Sequence, residues 1–327
     1  MKMLKLSALS ALAPVLLFIT LFSSAAHAQS KAAVLGTGSL TQIPIQVAPG
    51  GIITVFTAGL SPSTASAANA DRGPLPTTLA GITASIRQTY PPFGPLSVPL
   101  VSVFSVPTCF NQVAMFPSCT SALTGIRLQI PFEVAAPSGL EAPPNFARLT
   151  LNDQSGNSAS IDISPFLDQV HLLTPADTKL GTGSGAFVTH ADGSPVGNTN
   201  PANAGEELVV YGVGLGPTSP KVPTGQVTPS AANAITLFVI NYDYTPNAAP
   251  SRGLIPGSLF ASGKPGAFPA PVYAGLSPGT VGLYQFNFVV PSPPSGTPPC
   301  DDVVHSNLTV SFVGPNSFDG AAICVTQ

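Results

Sequence analysis

The chain has 327 residues, of which 8% are charged and 44% hydrophobic, and such an apolar excess excludes a disordered protein, which lacks side chains to bury. Eleven basic residues against 14 acidic ones provide no basic stripe to displace counterions from a phosphate backbone, which excludes a nucleic-acid binder. Gly 31 and Pro 37 punctuate stretches of Val, Ile, Thr and Phe, a composition poor in helix formers and rich in turns.

At the start, Lys2 and Lys5 precede an apolar run from Leu12 to Leu21 and small residues ending in Ala26-His27-Ala28. A charged start, a short apolar core and an A-x-A site form a signal peptide over residues 1–28, so the mature chain is expected to begin at Gln29. The run is shorter than the about 20 residues of a spanning helix, and no later stretch is apolar for that long. The expected product is exported, extracellular or periplasmic, with no membrane span in the mature chain. Cleavage removes two lysines, leaving 9 basic against 14 acidic residues, a net charge of −5. The remaining 327 − 28 = 299 residues are enough for two domains.

The next elements repeat. Pro49-Gly50-Gly51-Ile52-Ile53-Thr54-Val55-Phe56-Thr57-Ala58-Gly59-Leu60-Ser61-Pro62 reappears as residues 204–217, Ala204 to Pro217, at an offset of 205 − 50 = 155. Each copy reads as a turn glycine, a strand and a Gly-Leu-x-Pro exit. Ile126, Leu128, Ile130, Phe132 and Val134 alternate with polar residues or proline, as a half-buried strand does, and Pro131 points to an edge or a bulge. The counterpart runs from Tyr284 to Val290 with Phe286 and Phe288 inward, at an offset of 286 − 126 = 160. Asn145-Phe146 and Asn307-Leu308 give a third match, at 307 − 145 = 162. With a turn-rich junction between Thr174 and Gly183, the first domain is expected over 29–177 and the second over 178–327. About seven short strands in each indicate antiparallel sandwiches. Cys109, Cys119, Cys300 and Cys324 all follow the signal cut. Four cysteines allow three connectivities; pairing Cys109 with Cys119 and Cys300 with Cys324 requires no contact between domains. No C-x-x-C or neighbouring histidine pair offers a zinc shell, and no metal or cofactor is expected.

The second half carries His190-Ala191-Asp192-Gly193-Ser194, Asn200-Pro201-Ala202, Val210-Tyr211-Gly212-Val213-Gly214-Leu215-Gly216-Pro217, Pro271-Val272-Tyr273-Ala274-Gly275-Leu276-Ser277-Pro278-Gly279 and Gly282-Leu283-Tyr284-Gln285-Phe286-Asn287. These segments resemble the Solibacter-type carboxy-terminal domain, an uncharacterised module of secreted acidobacterial proteins. The match covers most of 185–327, and a weaker version covers roughly 34–170; both are similar to Ig-like IPT/TIG domains. The resemblance implies an all-β fold of two tandem Ig-like antiparallel β-sandwich domains after a cleaved signal peptide. It implies no activity and no catalytic residues.

Several segments imitate chemistry. Gly275-Leu276-Ser277-Pro278-Gly279 has the form of a serine-hydrolase elbow, but Pro278 has no N–H to place in the oxyanion hole, so a turn is expected. The glycine runs 181–185 and 212–216 lack the spacing of nucleotide loops. His171, His190 and His305 share no ligand spacing, Asp301 and Asp302 beside His305 read as a solvated loop, and Asp192-Gly193 reads as hairpin chemistry. Asn307-Leu308-Thr309 matches a glycosylation sequon but reads as strand sequence. Tyr242 and Tyr244 share one face of a strand, where they would stack on sugar rings or pack across strands. No credible catalytic constellation is present. The expected function is an exported, non-enzymatic structural or interaction protein at the cell envelope or surface, with an extracellular protein or a polysaccharide as partner. The alternative is a carbohydrate or surface-polymer binding protein, and an extracellular hydrolase ranks last.

Overall fold

The computed structural model describes residues 32–37, 45–64, 66–70, 73–107, 122–136, 147–174, 177, 186–252 and 269–326. The signal segment 1–28 and the cysteines Cys109 and Cys119 lie outside the described residues. The first half contributes β1 (Ala33–Thr37), β2 (Ile45–Val47), β3 (Ile52–Ala58), β4 (Ala68–Asn69), β5 (Thr78–Leu79), β6 (Ile82–Gln88), β7 (Phe93–Ser97), β8 (Leu100–Pro107), β9 (Ala122–Gln129), β10 (Ala147–Asn152) and β11 (Ser158–Pro165). The second contributes β12 (His171–Leu172), β13 (Val188–His190), β14 (Glu207–Val213), β15 (Thr218–Ser219), β16 (Ala232–Ala234), β17 (Val239–Asp243), β18 (Tyr273–Leu276), β19 (Tyr284–Val289), β20 (Leu308–Val313) and β21 (Phe318–Ile323). All of these elements are strands.

In the first half one sheet runs β1-β3-β9-β8-β4 and the other β2-β11-β10-β6-β5, with β7 also on β6. Strand β2 pairs in parallel with β11, and the other pairings of this half are antiparallel. In chain order this places A, B, E and D on one sheet and C, F and G on the other, the Greek-key order of an immunoglobulin-type sandwich. The second half repeats it, with β14, β19 and β18 as B, E and D, and β17-β20-β21 as C, F and G.

The repeat extends to register. Val55 faces Ile126 across β3 and β9, and Val210 faces Phe286 across β14 and β19, so both offsets read from the sequence describe the same pair. Val47 lies parallel to Pro165, and Ala202 bridges Val325 in parallel at the equivalent place. Asn145-Phe146 of the third match lie outside the described residues, and the offset of the strand that follows them is read from its faces. Ala147, Leu149 and Leu151 face the first core, and Leu308, Val310 and Phe312 the second. The offset that keeps faces aligned is therefore 308 − 147 = 161; at 162 every side chain of the strand would change sides. Pro131 also differs from expectation: β9 ends at Gln129 and is paired on both sides by β3 and β8, so the proline lies beyond an interior strand.

Each half has its own buried cluster, and the second already includes Val170 and Leu172. Because β12 pairs with β14, the chain enters the second sandwich ahead of the expected 177/178 boundary. The described residues nevertheless belong to one compact unit. The alternation expected of β19 is present: Tyr284, Phe286 and Phe288 are buried, while Gln285 and Asn287 are partly exposed. Phe286 stacks on Phe312 at 4.4 Å between centroids and meets Phe238 edge-on at 5.3 Å. Phe286→Ala is expected to cost about 3 to 5 kcal/mol. Gln285→Ala is expected to cost about 0.5 kcal/mol. Denaturant unfolding of the two variants checks the assignment, and equal losses would contradict it.

Candidate functional site: the seam between the sandwiches

Residues 166–170 carry the chain from one sandwich to the other, and they are fixed on both sides. On one side, Gln169 N–H donates to Gly214 O at 2.7 Å. Gly214 and Gly216 both have a φ of +82°, and a side chain on either would collide with the carbonyls of Gln169 and Leu167. The glycine run that imitates a nucleotide loop is thus the groove through which the connection passes. On the other side, the fully buried Asp168 accepts four bonds from the β20–β21 turn: Asn316 N–H at 3.2 Å, Asn316 Nδ2 at 2.7 Å, Ser317 N–H at 2.9 Å and Ser317 Oγ at 2.6 Å.

A second contact surface lies at the end of β9. Gln129, 1% exposed, accepts the N–H of Gly225 at 2.8 Å and donates to Gly50 O at 3.3 Å. Thr224 Oγ accepts from Phe132 N–H at 2.9 Å and donates to Glu133 at 2.6 Å, while Leu75 N–H donates to Gly225 O. Phe132 packs against the second core. The 223–225 loop of the second sandwich is therefore held by main-chain and side-chain bonds from the first.

Between these two contacts runs a cleft of about 380 Å³ lined by both halves. The first half lends the outer face of its sheet, where Thr54 and Arg127 lie opposite each other, out of the core that Val55 and Ile126 enter. The second lends Gln169, Val170, His171, Asp177, Val213 and Leu283. His171, half-exposed, lies 3.5 Å from Asp319 and 3.6 Å from Asp177. The bond to Asp319 raises its pKa above the ordinary histidine value; burial opposes this and Asp177 reinforces it. Burial pushes the Asp177 carboxyl up, but Thr174 N–H and hydroxyl bonds, with the charges of His171 and Arg127, hold it below the usual range.

The tyrosines singled out in the sequence lie elsewhere. Tyr242 faces Val310 as Ile86 faces Leu149 in the first copy, so Tyr242 and Tyr244 occupy core-face positions and pack against the second cluster. Their hydroxyls donate to Val289 O, at 3.2 Å, and to Pro291 O. Burial raises both phenols, Tyr244 to about 12. Of the two readings of this pair, the arrangement is that of cross-strand packing: the rings rest on the core and the polar tips serve the backbone. Ser277 sits in the β18–β19 turn, 8% exposed, its N–H donating to Leu283 O, as a turn reading requires. Gly193 has a φ of +85° in the expected hairpin, and His190 bonds Glu206. Asn307 is fully buried and bonded to Val325 through both amide atoms, so its sequon is strand sequence. Cys300 and Cys324 form the expected disulfide, tying the β19–β20 connection to the end of β21. Among the described residues no cluster of His, Cys, Asp or Glu is arranged to hold a metal ion.

No family model matches the chain, and no curated protein matches it. Among solved structures, the D00-D0 domain of Intimin aligns over 90% of this chain and 100% of that chain, at 10% identity and a TM-score of 0.17. That likeness is too slight to carry an argument.

Two outcomes test the seam. Asp168→Ala strands four buried or half-buried donors and is expected to cost about 3 kcal/mol in denaturant unfolding; a loss below about 0.5 kcal/mol, typical of surface sites, would contradict its role. His171, with its pKa raised in the folded state, contributes stability that is complete below the unfolded value of about 6.5 and is lost as pH rises through the folded value. The melting difference between the native chain and His171→Gln is therefore expected to shrink as pH rises above that value. A difference that stays flat with pH would refute the pairing.

Proposed function

We propose that the chain is an exported, non-enzymatic structural or interaction module of the cell envelope or surface. The observation that carries this reading is how the acidic residues are used. Among the described residues, eight acidic side chains accept backbone N–H bonds. Asp153, Asp192, Asp243 and Asp301 close their own turns, Asp177 and Glu206 hold Thr174 and Asn203, and Asp168 and Asp319 join the junction to β21. In a chain so poor in charge, carboxylates committed to main-chain donors stiffen a scaffold. The Cys300–Cys324 disulfide suits an oxidising compartment, as does the resemblance of the second half to a module of secreted proteins. No helix among the described residues is long and apolar enough to cross a membrane.

A specific face favours polysaccharide as the second class of partner. On the outer side of the β14–β19 pair, Gln285 donates to Asn287 at 3.0 Å and Asn287 to Glu207 at 2.8 Å. Tyr211, directly opposite Gln285, stacks with Phe187 at 6.4 Å between centroids. A row of amide and carboxylate groups beside an aromatic pair is the chemistry that sugar hydroxyls and ring faces recognise.

The purified mature chain is expected to bind saturably to envelope fractions of the cells that export it, and to turn over no ester, glycoside or peptide substrate above buffer. Turnover that follows the chain through successive purification steps would overturn the non-enzymatic reading, and retention that never saturates would overturn the interaction reading. A glycan array distinguishes the partner classes: a polysaccharide partner predicts a signal that Tyr211→Ala abolishes.

A further inference from the structure

The cleft between the sandwiches presents Arg127 from the first half of the molecule, and Asp177 beside His171 from the second. Arg127 stands on the outer face of β9 in the first sandwich, and Asp177 follows β12 in the second; both line the 380 Å³ space. Among the described residues the ion pairs are Arg148–Asp162, His171 with Asp177 and Asp319, and His190–Glu206, so the Arg127 guanidinium and its five donors have no carboxylate against them. Asp177 takes Thr174 and His171 on Oδ2, which leaves Oδ1 without a bond among the described residues. Val213 and Leu283 make the adjoining wall apolar. A space of this size at a domain interface, apolar with a few polar groups, has the character of a small-molecule site.

The charges decide which molecule fits. A simple carboxylate on Arg127 would be repelled by Asp177, and a simple amine on Asp177 would be repelled by Arg127 and His171. A ligand with both charges answers both groups at once, and the apolar wall asks for an apolar side chain.

We propose that this cleft binds the zwitterion of an apolar α-amino acid, its carboxylate on Arg127, its ammonium on Asp177 Oδ1 and its side chain against Val213 and Leu283. This site is separate from the surface module role and does not depend on it. The ligand is held by one charge from each sandwich, so occupancy ties the halves together across the seam.

Isothermal titration calorimetry on the purified mature chain tests this with L-leucine, L-phenylalanine, leucinamide, which lacks the carboxylate, and 4-methylpentanoate, which lacks the ammonium. Both amino acids are expected to bind saturably, and the two half-ligands to bind at least about tenfold more weakly. Arg127→Gln and Asp177→Asn are each expected to weaken L-leucine by about tenfold or more, while Arg148→Gln, at an exposed pair, leaves it unchanged. The proposal is overturned if neither amino acid binds up to about 10 mM, or if both half-ligands bind as tightly as L-leucine. Should circular dichroism show that a variant does not fold, the ligand series on the unaltered chain decides alone.

Discussion

The Asp168 carboxylate is the group around which the two halves are arranged. A buried carboxylate is costly unless donors replace its water, and here four do, all from Asn316 and Ser317. The first copy closes its β10–β11 turn internally: Asp153 accepts the N–H groups of Ser155 and Asn157. Under the 161-residue offset the equivalent position is Gly314, and a Cβ there would lie 2.5 Å from Asp168 Oδ2. The second copy has a glycine where the first has its carboxylate, and the space beside it admits one from the connecting segment. Where the first copy has a local turn staple, the second has a bond between the junction and its own β20–β21 turn. With Asp168 fixed, Gln169 passes Gly214, β12 joins β14, and His171 comes to rest between Asp177 and Asp319.

Much of this architecture was legible in the residues because strands record burial with period two. Tyr284 to Val290 alternates strictly, and the duplicated glycines at 50 and 205 share positive φ, so two of the three offsets describe real register. The third starts on Asn145-Phe146, outside the described residues, and differs by one from the offset of the described strand that follows. It matched the letters of Asn145-Phe146 to Asn307-Leu308 without a run of alternation to fix the face, and a one-residue slip inverts a strand. Tyr242 and Tyr244 were ambiguous for a related reason: their neighbours Asn241 and Asp243 are polar, but the phenols are polar too. Only pairing to Val310 shows which face is inward. The seam had no signal at all, since Asp168 and Ser317, or Gln129 and Gly225, are separated by long stretches of chain and follow no motif.

The seam also shows how two copies of one fold acquire different surfaces. Arg127 and Gln129 lie on the outer side of β9, and the 160-residue offset carries them to Asn287 and Val289 on β19. In the first copy that side is covered: Gln129 is 1% exposed beneath Gly225, and Arg127 lines the cleft. In the second copy Val289 is 44% exposed, and Asn287 is bonded to Glu207 and Gln285. The inward residues of both strands remain apolar because both build a sandwich core. The outward residues are free to differ, and each set matches what lies against it. Where the neighbouring sandwich covers the sheet, a long amide reaches a main-chain N–H; where none does, side chains bond to one another across the face. Part of the candidate chemistry, Arg127 in the first copy and Gln285 with Asn287 in the second, therefore sits on outward positions of one duplicated strand, while the inward positions of both copies stay apolar.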